Sequence, residues 1–173
     1  MSKTFGFGDV EDIKGRIEPG IEEVEFTGVI DGKNDNDKDF LSFGTISLDG
    51  NREHTERFYF TTEKGEKISL QRIRSIIKEL LGEEKAKGNY TVAELNAMLT
   101  GKKARIKFVG EEYEYNNELR VKTQFGFSGF IEKLETNPSK LTFNPQKDIK
   151  RLPIAPSNRA QPSSANNVTD ELF

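Results

Sequence analysis

The sequence predicts a mainly β protein: a five-stranded barrel with a two-helix insertion between strands three and four, followed by a disordered C-terminal tail. Three observations carry this expectation. Five segments alternate apolar and polar residues with the period of a half-buried strand. Two segments between the third and fourth repeat apolar residues at helical spacing instead. From Leu152 onward Pro153, Pro156 and Pro162 are scattered among Ser, Asn, Ala and Gln, with almost nothing to bury. The chain of 173 residues therefore divides into a domain over residues 1–150 and a linker with a short acidic tip over residues 151–173.

The first strand is expected from Gly20 to Asp31, with Val24, Phe26, Gly28 and Ile30 set against Glu23, Glu25, Thr27 and Val29. The following segment, Gly32 to Asp39, is a polar turn. Its alternating carboxylates lack the sixth-position Gly and the distal Glu of a calcium loop, so a solvated hairpin loop is the reading taken. Phe40 to Leu48 reads as the second strand, Asp49-Gly50-Asn51 as a tight turn and Glu56 to Thr62 as the third strand.

Ser69 is placed as the cap of a helix carrying Leu70, Ile73, Ile76, Ile77, Leu80 and Leu81, with Gly82 as its stop. Thr91-Val92-Ala93-Glu94 is a capping-box pattern that opens a second helix, with Val92, Leu95, Met98 and Leu99 as its apolar stripe and Gly101 at its end. Both read as packing helices. Lys102 to Val109 then alternates Lys103, Arg105 and Lys107 with Ala104, Ile106 and Phe108. After the Tyr115-Asn116-Asn117 turn, Glu118 to Phe130 sets Leu119, Val121, Thr123 and Phe125 against Arg120, Lys122 and Gln124. Three strands, a helical insertion and a final hairpin follow the element order of an oligonucleotide/oligosaccharide-binding (OB) barrel.

Composition removes much enzymology. No cysteine is present, so disulfides, thiolate metal sites and cysteine nucleophiles are excluded, and a single histidine, His54, excludes a multi-histidine metal centre. His54 lies beside a predicted turn and is expected at the surface. Glu83-Glu84 and Glu111-Glu112 come without a nucleophile or phosphate loop and read as solubilising charge, so no enzyme, metal or cofactor is expected. Phe5-Gly6-Phe7-Gly8 lacks the Lys-Ser/Thr of a phosphate loop. No apolar run reaches the ~20 residues of a membrane helix and no secretion leader is visible, which leads to the expectation of a cytoplasmic protein. The net charge of −3 means that any polyanion site must be a local patch.

Such a patch is readable in the strands. With Ile46, Leu48, Phe58 and Phe60 turned inward, Phe43, Arg57 and Tyr59 face outward on strands two and three, where OB barrels receive oligonucleotides. The last hairpin adds Lys103, Arg105, Lys107, Arg120 and Lys122 on one surface, with Tyr113 and Tyr115 near its tip. Aromatics would stack on bases and cations would replace counterions along phosphates. The competing reading is that the aromatics pack in the core and the Lys/Arg alternation is a solvated strand face. At the far end, Asp170, Glu171, Leu172 and Phe173 form a partner-binding hook on a flexible linker, with the Phe173 ring for an apolar pocket and the carboxylates for basic residues.

The architecture from Gly20 to Ile131 and the acidic, Phe-terminated tip resemble the phage-encoded OB-fold single-stranded-DNA-binding proteins. The phrase from Leu95 to Lys103, leading into the Arg105-to-Phe108 strand and the Tyr115-Asn116-Asn117-Glu118 turn, is similar to one subset of them. The resemblance implies non-catalytic, sequence-tolerant binding and protection of single-stranded DNA during phage DNA replication, recombination or repair, in the host cytoplasm. It also implies that the tip recruits replication or recombination proteins. Bacterial counterparts end in a longer acidic run with Ile-Pro-Phe, from which this chain departs. The alternatives are an OB-like protein–protein adaptor that does not bind nucleic acid and, more remotely, a hydrolase built from carboxylates.

Overall fold

The computed structural model describes residues 13–153 and the isolated positions 3, 4, 6 and 8. The expected tip, Asp170 to Phe173, and residues 154–173 of the expected disordered linker over 151–173 lie outside the described residues, whereas Arg151 and Leu152, placed in that linker, are hydrogen-bonded to Glu112 of the sheet.

Strand β5 (Lys103–Tyr115) organises the sheet because it is hydrogen-bonded along both edges. Its first half pairs antiparallel with β2 (Gly20–Lys33) on one edge and with β7 (Ile131–Glu132) on the other. Its second half pairs antiparallel with β6 (Glu118–Phe125) and parallel with β8 (Ile149–Lys150). Beyond β2 lie β3 (Asp39–Ser47) and β4 (Arg52–Tyr59), both antiparallel to their neighbours, and β1 (Gly15–Arg16) runs parallel to β4. The order β1-β4-β3-β2-β5-β6 forms a curled, open sheet, a half-barrel. Strands β2 to β6 cover the expected strand segments, but the sheet stays open and does not close as the expected five-stranded barrel. Three two-residue strands, β1, β7 and β8, join them to make an eight-stranded sheet.

Two α-helices and, between them, a 3-10 turn (Lys85–Lys87) occupy the interval between β4 and β5. Helix α1 (Glu63–Leu81) starts six residues before the expected cap, because the extended Thr62 accepts the Gly65 N–H at 3.0 Å. Ser69 instead lies inside the helix, buried, and donates its hydroxyl to the Tyr59 carbonyl. Helix α2 (Val92–Leu99) has the expected capping box, with Thr91 and Glu94 each satisfying the other's backbone N–H. A one-turn helix, α3 (Pro145–Asp148), precedes β8.

The alternation along β2 breaks at a bulge between Phe26 and Gly28, where Thr27 is the extra residue. Val29 consequently points inward and Ile30 outward, opposite to expectation. The bulge requires a glycine across the ladder: a Cβ on Gly44 would lie 2.4 Å from Thr27 Oγ1. On β3 the expected phase is reversed along the whole strand. Phe43 is fully buried and packs edge-on against Phe58 at 5.0 Å, with Thr45 and Ser47 interior beside it, while Leu48 is exposed. The inward hydroxyls are satisfied locally, Thr45 donating to the His54 carbonyl and Ser47 to the Asp49 carboxylate. Small polar residues could therefore take the core phase that Ile46 and Leu48 were expected to hold.

The core is a continuous aromatic row. Phe43, Phe58, Phe125 and Phe130 follow one another, Phe108 joins at Phe125, and Phe26 is buried beside them. Ile73, Ile76 and Ile77 of α1 and Leu95 and Leu99 of α2 cover it. Each such side chain contributes roughly 1.5–3 kcal/mol on burial.

No backbone ladder joins β4 to β6 among the described residues. Side chains bridge that seam. Glu56, buried on β4, accepts the Phe125 N–H at 3.0 Å and an Arg72 guanidinium hydrogen at 3.0 Å. Arg72, on α1, also donates to the carbonyls of Phe125 at 2.7 Å and Gly126 at 3.2 Å. His54 is not at the surface: its side chain is 10% exposed, its Nε2 lies 2.7 Å from Glu56 and its ring packs on Phe108 and Phe125. Glu56→Ala should therefore leave a buried guanidinium and a backbone donor unpaired and lower stability in urea by about 3–5 kcal/mol. The double variant Glu56→Leu/Arg72→Leu should cost less than the sum of the singles. A loss below about 1 kcal/mol for Glu56→Ala would show that the seam is held by apolar packing alone.

Candidate functional site

Paired residues of an antiparallel ladder share a face, so the reversal on β3 puts Phe40 rather than Phe43 on the outer side of the sheet, where it is covered and only 9% exposed. Phe40 pairs with Tyr59 and Ser42 with Arg57. The ring of Phe40 meets Tyr59 edge-on at 5.7 Å, and the exposed Arg57 guanidinium lies over it at 4.4 Å. Gly32 makes room for this ring, since a Cβ there would approach it to 2.8 Å. Phe43, expected in this position, belongs to the core. Phe40 was missed because its pairing partner could not be read without the register. Ile30, beside Ser42 in the ladder, adds an exposed aliphatic side chain.

The β5–β6 hairpin forms the second part. Asn116 and Asn117 both have positive φ, 51° and 62°, the backbone that a two-residue hairpin turn needs. Tyr113 pairs with Arg120, Glu111 with Lys122 and Tyr115 with Glu118, so these residues occupy one face of the ribbon. Tyr113 is 39% and Tyr115 55% exposed. The Arg120 guanidinium lies 4.9 Å from the Tyr115 ring centre and 3.1 Å from Glu118. Lys122 is exposed and forms no ion pair among the described residues. On the opposite face, Val121 is exposed as well, so the apolar-inside pattern expected of this hairpin ends at Phe125.

A groove of about 340 Å³ connects the two parts. Tyr113 and Lys122 line it from the hairpin, Glu53 and Thr55 from β4, and Arg16 from β1. Thr55 precedes Arg57 by one strand repeat, so Tyr59, Arg57, the groove and the hairpin follow one another over the surface. The structure thus brings Tyr113 and Lys122 to Glu53 and Thr55 at this groove, with Arg57 and Tyr59 farther along β4 and Tyr115 and Arg120 farther along the hairpin.

Two of the expected cations are committed elsewhere. Arg105, 19% exposed, donates to Glu132 at 2.6 Å, to Glu23 at 3.2 Å and to the carbonyls of Leu134 and Thr136. Lys107, 22% exposed, is 3.0 Å from Asp148. Lys103 remains exposed opposite Glu25 of β2. Of the acids read as solubilising charge, Glu112 is buried and accepts from the Leu152 N–H and Arg151, which fixes the last described residues to the sheet.

Burial acts to raise the Glu132 carboxyl, but hydrogen bonds from Ser139, Arg105 and the Lys140 N–H, with the Arg105 charge, outweigh it and hold the group below its ordinary range. Glu132 in turn holds the Arg105 guanidinium firmly protonated, against the opposing effect of burial. Asp148 is held low in the same way: burial opposes, while the Asn144 N–H and the Lys107 ammonium prevail.

Among the described residues no group of three or more His, Asp or Glu is placed to hold a metal ion, and no helix is long and apolar enough to cross a membrane. Comparison with known protein families and with curated proteins finds no match to this chain.

A carboxyl whose folded pKa is depressed stabilises above the unfolded pKa, and that stability is lost as pH falls through the folded value. Thermal stability should therefore decline below about pH 4, and Glu132→Gln should flatten that acid limb in melts taken from about pH 6 to pH 2. An unchanged limb would remove the Glu132–Arg105 network from acid stability.

Proposed function

We propose that the half-barrel is an OB-type module that binds single-stranded DNA without catalysis and with little sequence preference, in replication, recombination or repair. The observation that carries this reading is the hairpin face on which Tyr113, Tyr115, Arg120 and Lys122 alternate, exposed, with both rings open to solvent on at least part of their surface. Aromatic faces stack on any base, and neighbouring cations meet the phosphates between them. The strand order and the helical insertion support the same reading, because the outer sheet face and the last hairpin are where OB barrels receive oligonucleotides. In this reading Arg57 and the half-buried Tyr59 extend the platform and Lys103 supplies a further cation, while Phe40 lies buried beneath the Arg57 guanidinium.

Arg105 and Lys107 are positioning residues here, since their charges are met within the protein. The tip Asp170 to Phe173 would recruit replication or recombination proteins to the coated strand in a cytoplasm, the host's if the protein is viral; its support is the tip's sequence alone. The commitment of Arg105 and Lys107 is also what favours the competing reading, a protein-binding adaptor of the same architecture.

Fluorescence anisotropy with labelled oligo-dT and a matching duplex, at several salt concentrations, separates the two. Preferential single-strand binding with steep salt dependence is expected, and failure to bind either nucleic acid would leave the adaptor. Arg120→Glu/Lys122→Glu should reduce the salt slope by about 1.4, and Tyr115→Ala should weaken binding about tenfold. Arg105→Ala should lower stability while leaving the slope unchanged; a fall of about 0.7 would return Arg105 to the phosphate-binding set.

A further inference from the structure

The same β5–β6 face continues past the hairpin into a second groove, of about 460 Å³, floored by Val109 and Gln124. Lys147 and Lys150 stand on one wall, and the Gly126-Phe127-Ser128 turn forms the other. Its volume falls within the range of small-ligand sites. We infer that this groove is a nucleotide subsite, taking one base of a bound strand against Phe127 and a neighbouring phosphate on Lys147 and Lys150. The inference rests on the single-strand reading and extends it to a surface the sequence did not single out.

Phe127 decides the chemistry. It is 58% exposed, whereas the six largest fully buried side chains among the described residues are all phenylalanines. One side of its ring faces the Arg72 guanidinium, 4.8 Å from the ring centre. Arg72 is itself fixed by Glu56 and by the carbonyls of Phe125 and Gly126. The ring is thus backed by an anchored planar cation while much of its surface stays open, the arrangement of a stacking platform rather than of a loose surface side chain.

The charges in the groove suit a phosphate ester. Lys107 and Asp148 satisfy each other, whereas Lys147 has no ion-pair partner among the described residues and Lys150 lies 3.9 Å from Glu111 with its side chain 80% exposed. Lys147 therefore remains available beside the ring, with Lys150 held only by its long surface contact with Glu111. A purely apolar ligand would leave them unused, and a purely anionic one would leave Phe127 unused.

The test is anisotropy of labelled oligo-dT with the full chain. Phe127→Ala should weaken binding about tenfold, the loss of one stacked base, and Phe127→Tyr, which keeps the ring, should retain the wild-type affinity. Lys147→Glu/Lys150→Glu should reduce the salt slope by about 1.4. If these variants bind like wild type while Arg120→Glu/Lys122→Glu is impaired, the groove is not a subsite and the strand reading stands. A Phe127→Tyr loss equal to that of Phe127→Ala would also overturn the stacking role. If wild type binds no oligonucleotide, both fall together. Titration with thymidine monophosphate separates a strand subsite from a free-nucleotide site, since tight monophosphate binding abolished by Phe127→Ala would overturn the strand assignment.

Discussion

The Glu56–Arg72 pair at the seam is the interaction on which the rest of the structure depends. Where a closed barrel would place a backbone ladder, this sheet leaves the end of β6 facing β4 with unpaired peptide groups. Glu56 takes the Phe125 N–H, and Arg72 takes the carbonyls of Phe125 and Gly126. Two side chains thus perform the hydrogen bonding of a missing strand pair. Burying an ion pair is costly in itself, and here the cost is offset by the backbone groups that the pair satisfies and by the His54 contact. The buried Arg72 Nε finds no partner among the described residues, so the latch is not saturated.

The latch also links the core to the surface. Arg72 lies 5.1 Å from the centre of the Phe58 ring inside the sheet and 4.8 Å from that of Phe127 outside it. Through it, a β4 carboxylate sets the position of an aromatic ring at the β6 exit. This is a short route by which a seam residue can influence the proposed binding surface from inside the sheet.

Much of the scaffold was legible in the sequence because the signals concerned are local. The Ala104, Ile106, Phe108 alternation, the Thr91/Glu94 capping box and the Asn116-Asn117 turn each specify structure within a few residues. What escaped depends on distant partners. The Thr27 bulge reverses the phase of half a strand, and apolarity alone could not reveal that Thr45 and Ser47, rather than Ile46 and Leu48, face inward on β3. His54 read as a surface residue because the rings it packs on, Phe108 and Phe125, lie on β5 and β6. Phe127 carried no signal at all, sitting where a strand was expected to continue to Phe130.

The same distinction governs the cations. Alternation assigns Lys103, Arg105 and Lys107 to one face of β5, but it cannot say which of them already has a counterion. Glu132 and Asp148, respectively 27 and 41 positions away in sequence, claim the second and third. A face that reads as basic is therefore largely neutralised at its centre, with charge left exposed and unpaired among the described residues at Lys103 and Lys122, and Arg120 set against Glu118 near the turn. A ligand on this surface would meet sparse cations interspersed with Tyr113, Tyr115 and Phe127 rather than a continuous basic strip. Affinity for a nucleic acid would then draw on stacking, which tolerates any base, as well as on counterion release at the remaining cations. That balance suits a chain whose overall charge is −3, because stacking does not require the whole molecule to attract a polyanion.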